Sequence, residues 1–380
     1  MTAPLPGFPP SSARRLVIKI GSALLVDAAG QVREVWLRTL VADVAARKAA
    51  GQQIIIVSSG AIALGARRLK LPKGGRGSLE DAQAAAATGQ IALSQCWAAL
   101  LAERDITAAQ MLVTLDDLEH RRRYLNASAT LERLMQLGVV PVVNENDSVA
   151  TAEIRFGDND RLAARIGQAA RADAVVLLSD VEGLYSANPH ADASAMFIER
   201  IERIDARIMA MADGGSASGM GSGGMTSKIE AAKIATGAGA HLAIISGKID
   251  SPLSHWEQGG RGSIFLAAQG KGARNGARRG WLSGRLTVRG RIIVDEGAER
   301  ALERGNSLLP AGVARVEGQF ERGDVVDILS HDGRVIARGL SEYDSAAATR
   351  IAGKRSEDIA ALLGEMPRSV LVHRDHMALV

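Results

Sequence analysis

One cysteine in 380 residues leaves no partner for an internal disulfide. That fits a chain kept in a reducing compartment and sets a cytoplasmic expectation. The thiol, Cys96, sits in an apolar, helix-like run and reads as a small buried hydrophobe, not a nucleophile. Aromatic residues make up only 3% of the chain, so its core must be aliphatic. No apolar run reaches the roughly 18 residues of a membrane span. The first ten residues are Pro-rich, and the apolar stretch behind them is broken by Lys19, which is no secretory signal. Familiar motifs fail as well. Gly219–Gly224 spells GxGxxG but follows no strand, and Met225 stands where a Walker A loop needs lysine. Val57 excludes a Gly-x-Ser-x-Gly elbow around Ser59. No HExxH spacing occurs, and no protein metal cage is expected. His373 and His376 flank Asp375 near the end of the chain and read as an exposed polar tail.

What is present is a 47% hydrophobic content, ample for a core spread over about two or three domains. The stretch Leu16-Val-Ile-Lys-Ile-Gly-Ser22 organises it. A buried parallel strand is a near-continuous apolar run, and a lysine inside one is costly unless an anion meets it. Lys19 therefore points into a site or pairs with a carboxylate. The net charge is +4, unevenly spread: from Gln258 to Val294 there are eight Lys/Arg and no acid. That run is a solvated linker or a contact for an acidic partner.

Residues 1–13 read as a loose leader. Strand Leu16–Ile20 is followed by an amphipathic helix over Glu34–Ala50 and a strand at Ile54–Val57 ending in Ser58-Ser59-Gly60-Ala61. An alanine-rich helix covers Glu80–Arg104. Strands at Ala109–Val113, Val139–Val143, Val175–Leu178 and Leu242–Ile245 alternate with helices near Leu118–Leu137, Asp160–Ala170 and from Thr226. Regular alternation over about 250 residues predicts a three-layer α/β/α sandwich with a mainly parallel sheet. The strands end in Gly-Ser, Ser-Ser-Gly, Asn-Glu-Asn-Asp, Ser-Asp and Ser-Gly, all on the edge where such sheets bind ligands. Residues 268–282 form a basic, Gly-rich linker. From 283 to 360, short strands with Gly/Asp turns predict a small all-β barrel, followed by a tail over 361–380.

Three kinds of group remain. Lys19 and Lys228 are cationic. Asn144, Asn146, Asp147 and the Gly157-Asp-Asn-Asp160 segment are polar or acidic. Gly21-Ser22, Ser59-Gly60 and Ser222–Lys228 supply backbone amides where glycine permits close approach to an anion. Two lysines with glycine nests suit the β- and γ-phosphates of a nucleotide, and phosphoryl transfer asks mainly for positioning and charge neutralisation.

These segments carry a resemblance. Val17–Ser22, Val57–Ala63, Pro141–Asp147, Phe156–Asp160, Leu177–Tyr185 and Gly223–Lys228 resemble the amino acid kinase family, in order and spacing over roughly residues 14–265, which implies a kinase domain over 14–267. Val294–Ala298, Ser307–Gly312 and Phe320–Asp324 resemble a PUA domain. Departures are small: Ser179 for a usual threonine, Thr226-Ser227 in swapped order, Asn188 for a frequent aspartate. All keep hydrogen-bonding capacity. The resemblance implies transfer of the ATP γ-phosphoryl to the side-chain carboxylate of L-glutamate, the first step toward proline, with Mg2+ held mostly by phosphates and water. It implies catalytic roles for Lys19, Lys228 and Asp160. Ser59, Gly60, Asp147 and Asn159 would hold glutamate. Lys19, Gly21, Ser179, Asp180, Ser222, Gly223, Gly224, Met225, Thr226, Ser227 and Lys228 would hold the nucleotide. It further implies a homodimer or homotetramer and feedback inhibition by proline. Two alternatives stand beside it. One is a sister kinase for another acid, such as acetylglutamate, aspartate, carbamate or a nucleoside monophosphate. The other is an RNA-binding protein acting through the barrel, although aromatic residues for stacking are scarce beside it, Trp281 being the exception.

Overall fold

The computed structural model describes residues 12–27, 31–149, 159–189, 191–212, 224–267, 288–355, 358–359, 362 and 370–380. The chain divides into two compact units, Met1–His120 with Asn126–Ala268, and Arg121–Leu125 with Gln269–Val380. The first is built on strands β1 (Arg15–Ile20), β2 (Gln53–Ser58), β3 (Ala108–Val113), β4 (Val140–Glu145), β5 (Ala174–Ser179), β6 (Arg200–Ile201), β7 (His241–Ser246) and β8 (Gly262–Phe265), which hydrogen-bond in the order β3-β4-β2-β1-β5-β7-β8-β6. The central pairs from β3 to β7 are parallel, and β8 runs antiparallel to β7. The longer helices of this unit are α1 (Glu34–Ala49), α2 (Ala61–Arg68), α3 (Leu79–Ala102), α4 (Arg121–Gln136, whose first turn is counted with the second unit), α5 (Asn159–Ala170) and α6 (Met225–Gly237), and a short α7 (Pro252–Glu257) follows.

Strand parity explains the layers. On β1, Leu16, Ile18 and Ile20 join a core made with Leu37 and Leu40 of α1, Leu93 and Trp97 of α3, and Leu253 and Trp256 of α7. Successive strand residues face opposite sides, so Val17 and Lys19 look to the other layer, where α5 and α6 lie. Gly167 lets α5 settle close: a Cβ there would stand 2.8 Å from Val175 Cγ2. Full burial of each large aliphatic is worth about 1.5–3 kcal/mol, and β1, β4 and β5 are buried along their whole length. The register places Lys19 opposite Val57 and Leu177, one residue short of the strand ends.

The α2–α3 crossing is unusually close. A Cβ on Gly65 would meet Ala85 O at 1.8 Å, and one on Gly89 would meet Ala61 O at 1.8 Å. Backbone cannot yield as a flexible side chain can, so Gly89→Ala must push the helices apart. We expect a loss of roughly 1–3 kcal/mol, read as a lower denaturation midpoint with an unchanged slope. An unmoved midpoint would show that the crossing carries no load.

The second unit holds strands β9 (Val288–Val294), β10 (Val313–Gly318), β11 (Val325–Leu329), β12 (Val335–Ser341) and β13 (Val372–Leu379), in the order β10-β9-β11-β12-β13. Helices α8 (Glu296–Glu303) and α9 (Ser345–Ile351) accompany the sheet, with Leu302 and Ile351 in its core. One expectation is corrected here. The end of the chain is not an exposed polar tail: β13 pairs antiparallel with β12, and His376 is buried. The charged run 373–375 breaks the apolar pattern, and it is the pairing with β12 that holds the strand. The linker 268–282 and most of the basic run lie outside the described residues.

Candidate functional site

Asp160 is the centre. It stands in the first turn of α5 and is 1% exposed. One carboxylate oxygen lies 2.6 Å from Lys19 Nζ and the other 3.1 Å from Lys228 Nζ. Lys19 comes from the end of β1 and Lys228 from the first turns of α6, and both are buried. Burial alone would raise the Asp160 pKa, but the two ammoniums and their hydrogen bonds outweigh it and hold the carboxyl below its ordinary range. The group therefore carries two positive charges and one negative, a net +1 in a place screened from water. Removing Asp160 would break two buried ion pairs at once, a loss of about 3–5 kcal/mol. Its presence lets the pair exist before any anion arrives. Gly21 lies beside this group: a Cβ there would stand 3.7 Å from Lys19 Nζ, an ordinary contact.

A second set of groups surrounds the end of β2. Gly60 adopts φ +110°, a left-handed conformation natural to glycine, and turns the chain into α2. Ser59 Oγ accepts a hydrogen bond from Asn159 Nδ2 at 2.7 Å, and the same nitrogen donates to Asn144 Oδ1 at 3.0 Å. Asn144 Nδ2 donates to Gln90 Oε1 at 2.8 Å. Beneath them Trp97 Nε1–H donates to Ser58 Oγ at 2.9 Å and ties β2 to α3.

Asp147 follows β4 and is 7% exposed, and its Oδ1 has no hydrogen-bond partner among the described residues. Burial pushes its pKa up to about 6 against a smaller opposing pull from Arg76. Asn159 Oδ1 is likewise buried without a donor. A cleft of about 220 Å³ runs past Asp147, lined also by Ala61, Gln90, Glu145 and Asn146. A buried acceptor left open beside a cleft, as Asp147 Oδ1 is, is what a bound N–H donor would satisfy.

The residues expected on the nucleotide side are only partly gathered. Ser179 is buried at the end of β5, where its carbonyl accepts from Gly247 N–H at 2.7 Å, and its hydroxyl lies 3.1 Å from the exposed Asp180 carboxylate. Gly224 caps α6, and Met225, Thr226 and Ser227 form its first turn ahead of Lys228. Thr226 Oγ1 donates toward Ala212 O at 3.5 Å. Ser222 and Gly223 lie outside the described residues. Ser58, Gln90 and Trp97 are additions the motifs did not single out. The signal for Gln90 was available: it sits between Ala86 and Leu93, a polar residue on the apolar stripe of an alanine-rich helix. Cys96 is half-buried, and burial raises its thiol to about 11, which leaves it inert.

Residues 14–246 match the amino acid kinase family, and residues 290–363 match the PUA domain. A glutamate 5-kinase of Sphingopyxis alaskensis is 65% identical over 98% of this chain and 99% of its own. Glutamate 5-kinases of Zymomonas mobilis and Novosphingobium aromaticivorans are 61% and 57% identical, over 98% and 97% of this chain and 93% and 97% of theirs.

Proposed function

The chain belongs to the amino acid kinase family, within its glutamate 5-kinase branch that carries a PUA domain, and on that footing we propose that it transfers the γ-phosphoryl of ATP to the side-chain carboxylate of L-glutamate. The observation that carries the reading is the sharing of one buried carboxylate by two ammoniums at the strand ends. The acceptor needs no general base, because a carboxylate of pKa near 4.3 is already ionised at neutral pH. The obstacle is repulsion between two anions. Lys19 and Lys228 offset it and stabilise charge on the transferring phosphoryl and the β-phosphate leaving group. Asp160 orients both and is not itself consumed. Asp147 partners the α-ammonium, and Ser59, Gly60 and Asn159 hold glutamate beside it. Gly21, Ser179, Asp180 and the turn into α6 hold the nucleotide.

Mg2+ carried on the triphosphate fits this donor set. Each oxygen of Asp160 already has an ammonium, and among the described residues no group of three His, Cys, Asp or Glu could hold a metal. The ion would then be bound by phosphate oxygens and water, neutralising charge between the β- and γ-phosphates. On the same reading residues 14–267 are the catalytic domain, the chain acts in the cytoplasm as a homo-oligomer, and proline is its feedback inhibitor. Among the described residues no helix is long and apolar enough to cross a membrane.

The test is ADP release with glutamate and hydroxylamine, which traps an acyl phosphate as the hydroxamate. We expect glutamate-dependent hydroxamate in step with ADP. ATP turnover without hydroxamate would contradict the reading.

A further inference from the structure

The hydrogen bonds that run from α3 to Asn159 have a direction, and Ser94 sets it at the α3 end. The Ser94 hydroxyl donates its proton to the backbone carbonyl of Gln90 at 2.8 Å. A hydroxyl has one proton to give, so toward the Gln90 side chain it can only accept, and it does so from Nε2 at 3.1 Å. That turns Gln90 Oε1 toward Asn144, whose Nδ2 donates to it at 2.8 Å. Asn144 Oδ1 then accepts from Asn159 Nδ2 at 3.0 Å, the nitrogen that also donates to Ser59 Oγ at 2.7 Å and more weakly to the Ser58 carbonyl at 3.4 Å. Every amide in the row is held one way round. The last consequence is that Asn159, only 2% exposed, has its carbonyl oxygen buried without a donor among the described residues. Were the row reversed, Asn159 would spend that carbonyl on Asn144 and turn its NH2 the other way.

We propose that Ser94 and Gln90 are positioning residues which, through Asn144, fix the amide polarity of Asn159 and so make the glutamate site select a substrate with an N–H donor, the α-ammonium. The inference rests on the functional reading given above. Neither residue touches the reacting atoms. Gln90 lines the cleft beside Asp147, and Ser94 lies one helical turn farther along α3. A site whose buried acceptors expect a donor rejects an analogue that lacks one more strongly than an apolar pocket could.

The experiment compares L-glutamate with glutarate, which keeps both carboxylates and lacks the ammonium. The KM for glutamate, the KM for ATP and the inhibition constant of glutarate are measured in the full chain and in Ser94→Ala, Ser94→Thr and Gln90→Leu. Ser94→Ala and Gln90→Leu should raise the glutamate KM by roughly tenfold, with the ATP KM and the glutarate constant moving by less than about threefold. Ser94→Thr keeps the hydroxyl and should retain the wild-type preference. If Gln90→Leu fails to fold, the Ser94 pair decides. An unchanged glutamate KM in Ser94→Ala, or equal losses for glutamate and glutarate, would overturn the relay. A wild-type chain that leaves glutamate unphosphorylated would instead overturn the functional reading, and the relay with it, before any variant is compared.

Discussion

Lys19→Ala is expected to lose roughly 100-fold or more in turnover, the usual cost of removing one donor aimed at transition-state charge. The ammonium is placed for that purpose. It leaves β1 on the face away from the aliphatic core, one residue before the strand ends, and meets Asp160 at 2.6 Å. A purely structural lysine in that position would be a poor stabiliser, since an apolar residue of similar volume in place of a buried ion pair is often neutral or better. The variant keeps Lys228 paired with Asp160 at 3.1 Å, so the fold should survive with the site carrying no net positive charge. Steady-state ADP release at saturating ATP and glutamate gives the answer, with thermal unfolding as the control for folding. Near-normal turnover in a folded Lys19→Ala protein would remove Lys19 from the mechanism.

Asp147→Ala should act on a different quantity. Truncating one partner of a buried charge pair costs about 2–5 kcal/mol, so the glutamate KM should rise by roughly 30-fold or more, with a smaller change in turnover at saturation. The pH dependence has a definite sign. Burial holds the Asp147 carboxyl at about 6 in the folded chain without substrate, above its value in the unfolded chain. The ionised form thus costs the empty fold about 3 kcal/mol at neutral pH. That cost is fully present above about 6 and fades as the pH falls toward 4. A bound ammonium restores the preference for the charged form. The glutamate KM should therefore climb as the pH drops through about 6, and this limb should vanish in Asp147→Ala. A glutamate KM that ignores both the substitution and the pH would refute the ammonium contact.

The sequence carried the layers and the chemistry unequally. Hydrophobic periodicity located the β/α alternation because each buried strand is a continuous apolar run, and a lone lysine in the first of them announced its own need for an anion. It could not say which anion. Asp158 and Asp160 are near neighbours in the chain, and it is the seating of α5 on the sheet, with Gly167 close against Val175 of β5, that brings Asp160 to Lys19. The glycine-rich segment before Lys228 pointed to an anion site by composition alone. The polar row through Gln90 and Asn144 was hidden for another reason. Its members come from α3, β4 and α5, and their relation is a hydrogen-bond direction, which no spacing records. The last strand, β13, was missed because charge interrupts its pattern and its partner lies about 30 residues earlier, in β12.

The central claim is that two ammoniums steadied by one carboxylate let two anions approach. A crystal structure with glutamate, Mg2+ and a non-hydrolysable ATP analogue tests it most directly. The account predicts both Lys19 Nζ and Lys228 Nζ within about 3 Å of phosphate oxygens, each still beside Asp160, with the glutamate side-chain carboxylate facing the terminal phosphorus. A nucleotide whose phosphates lie elsewhere, with either ammonium left on Asp160 alone, would contradict it.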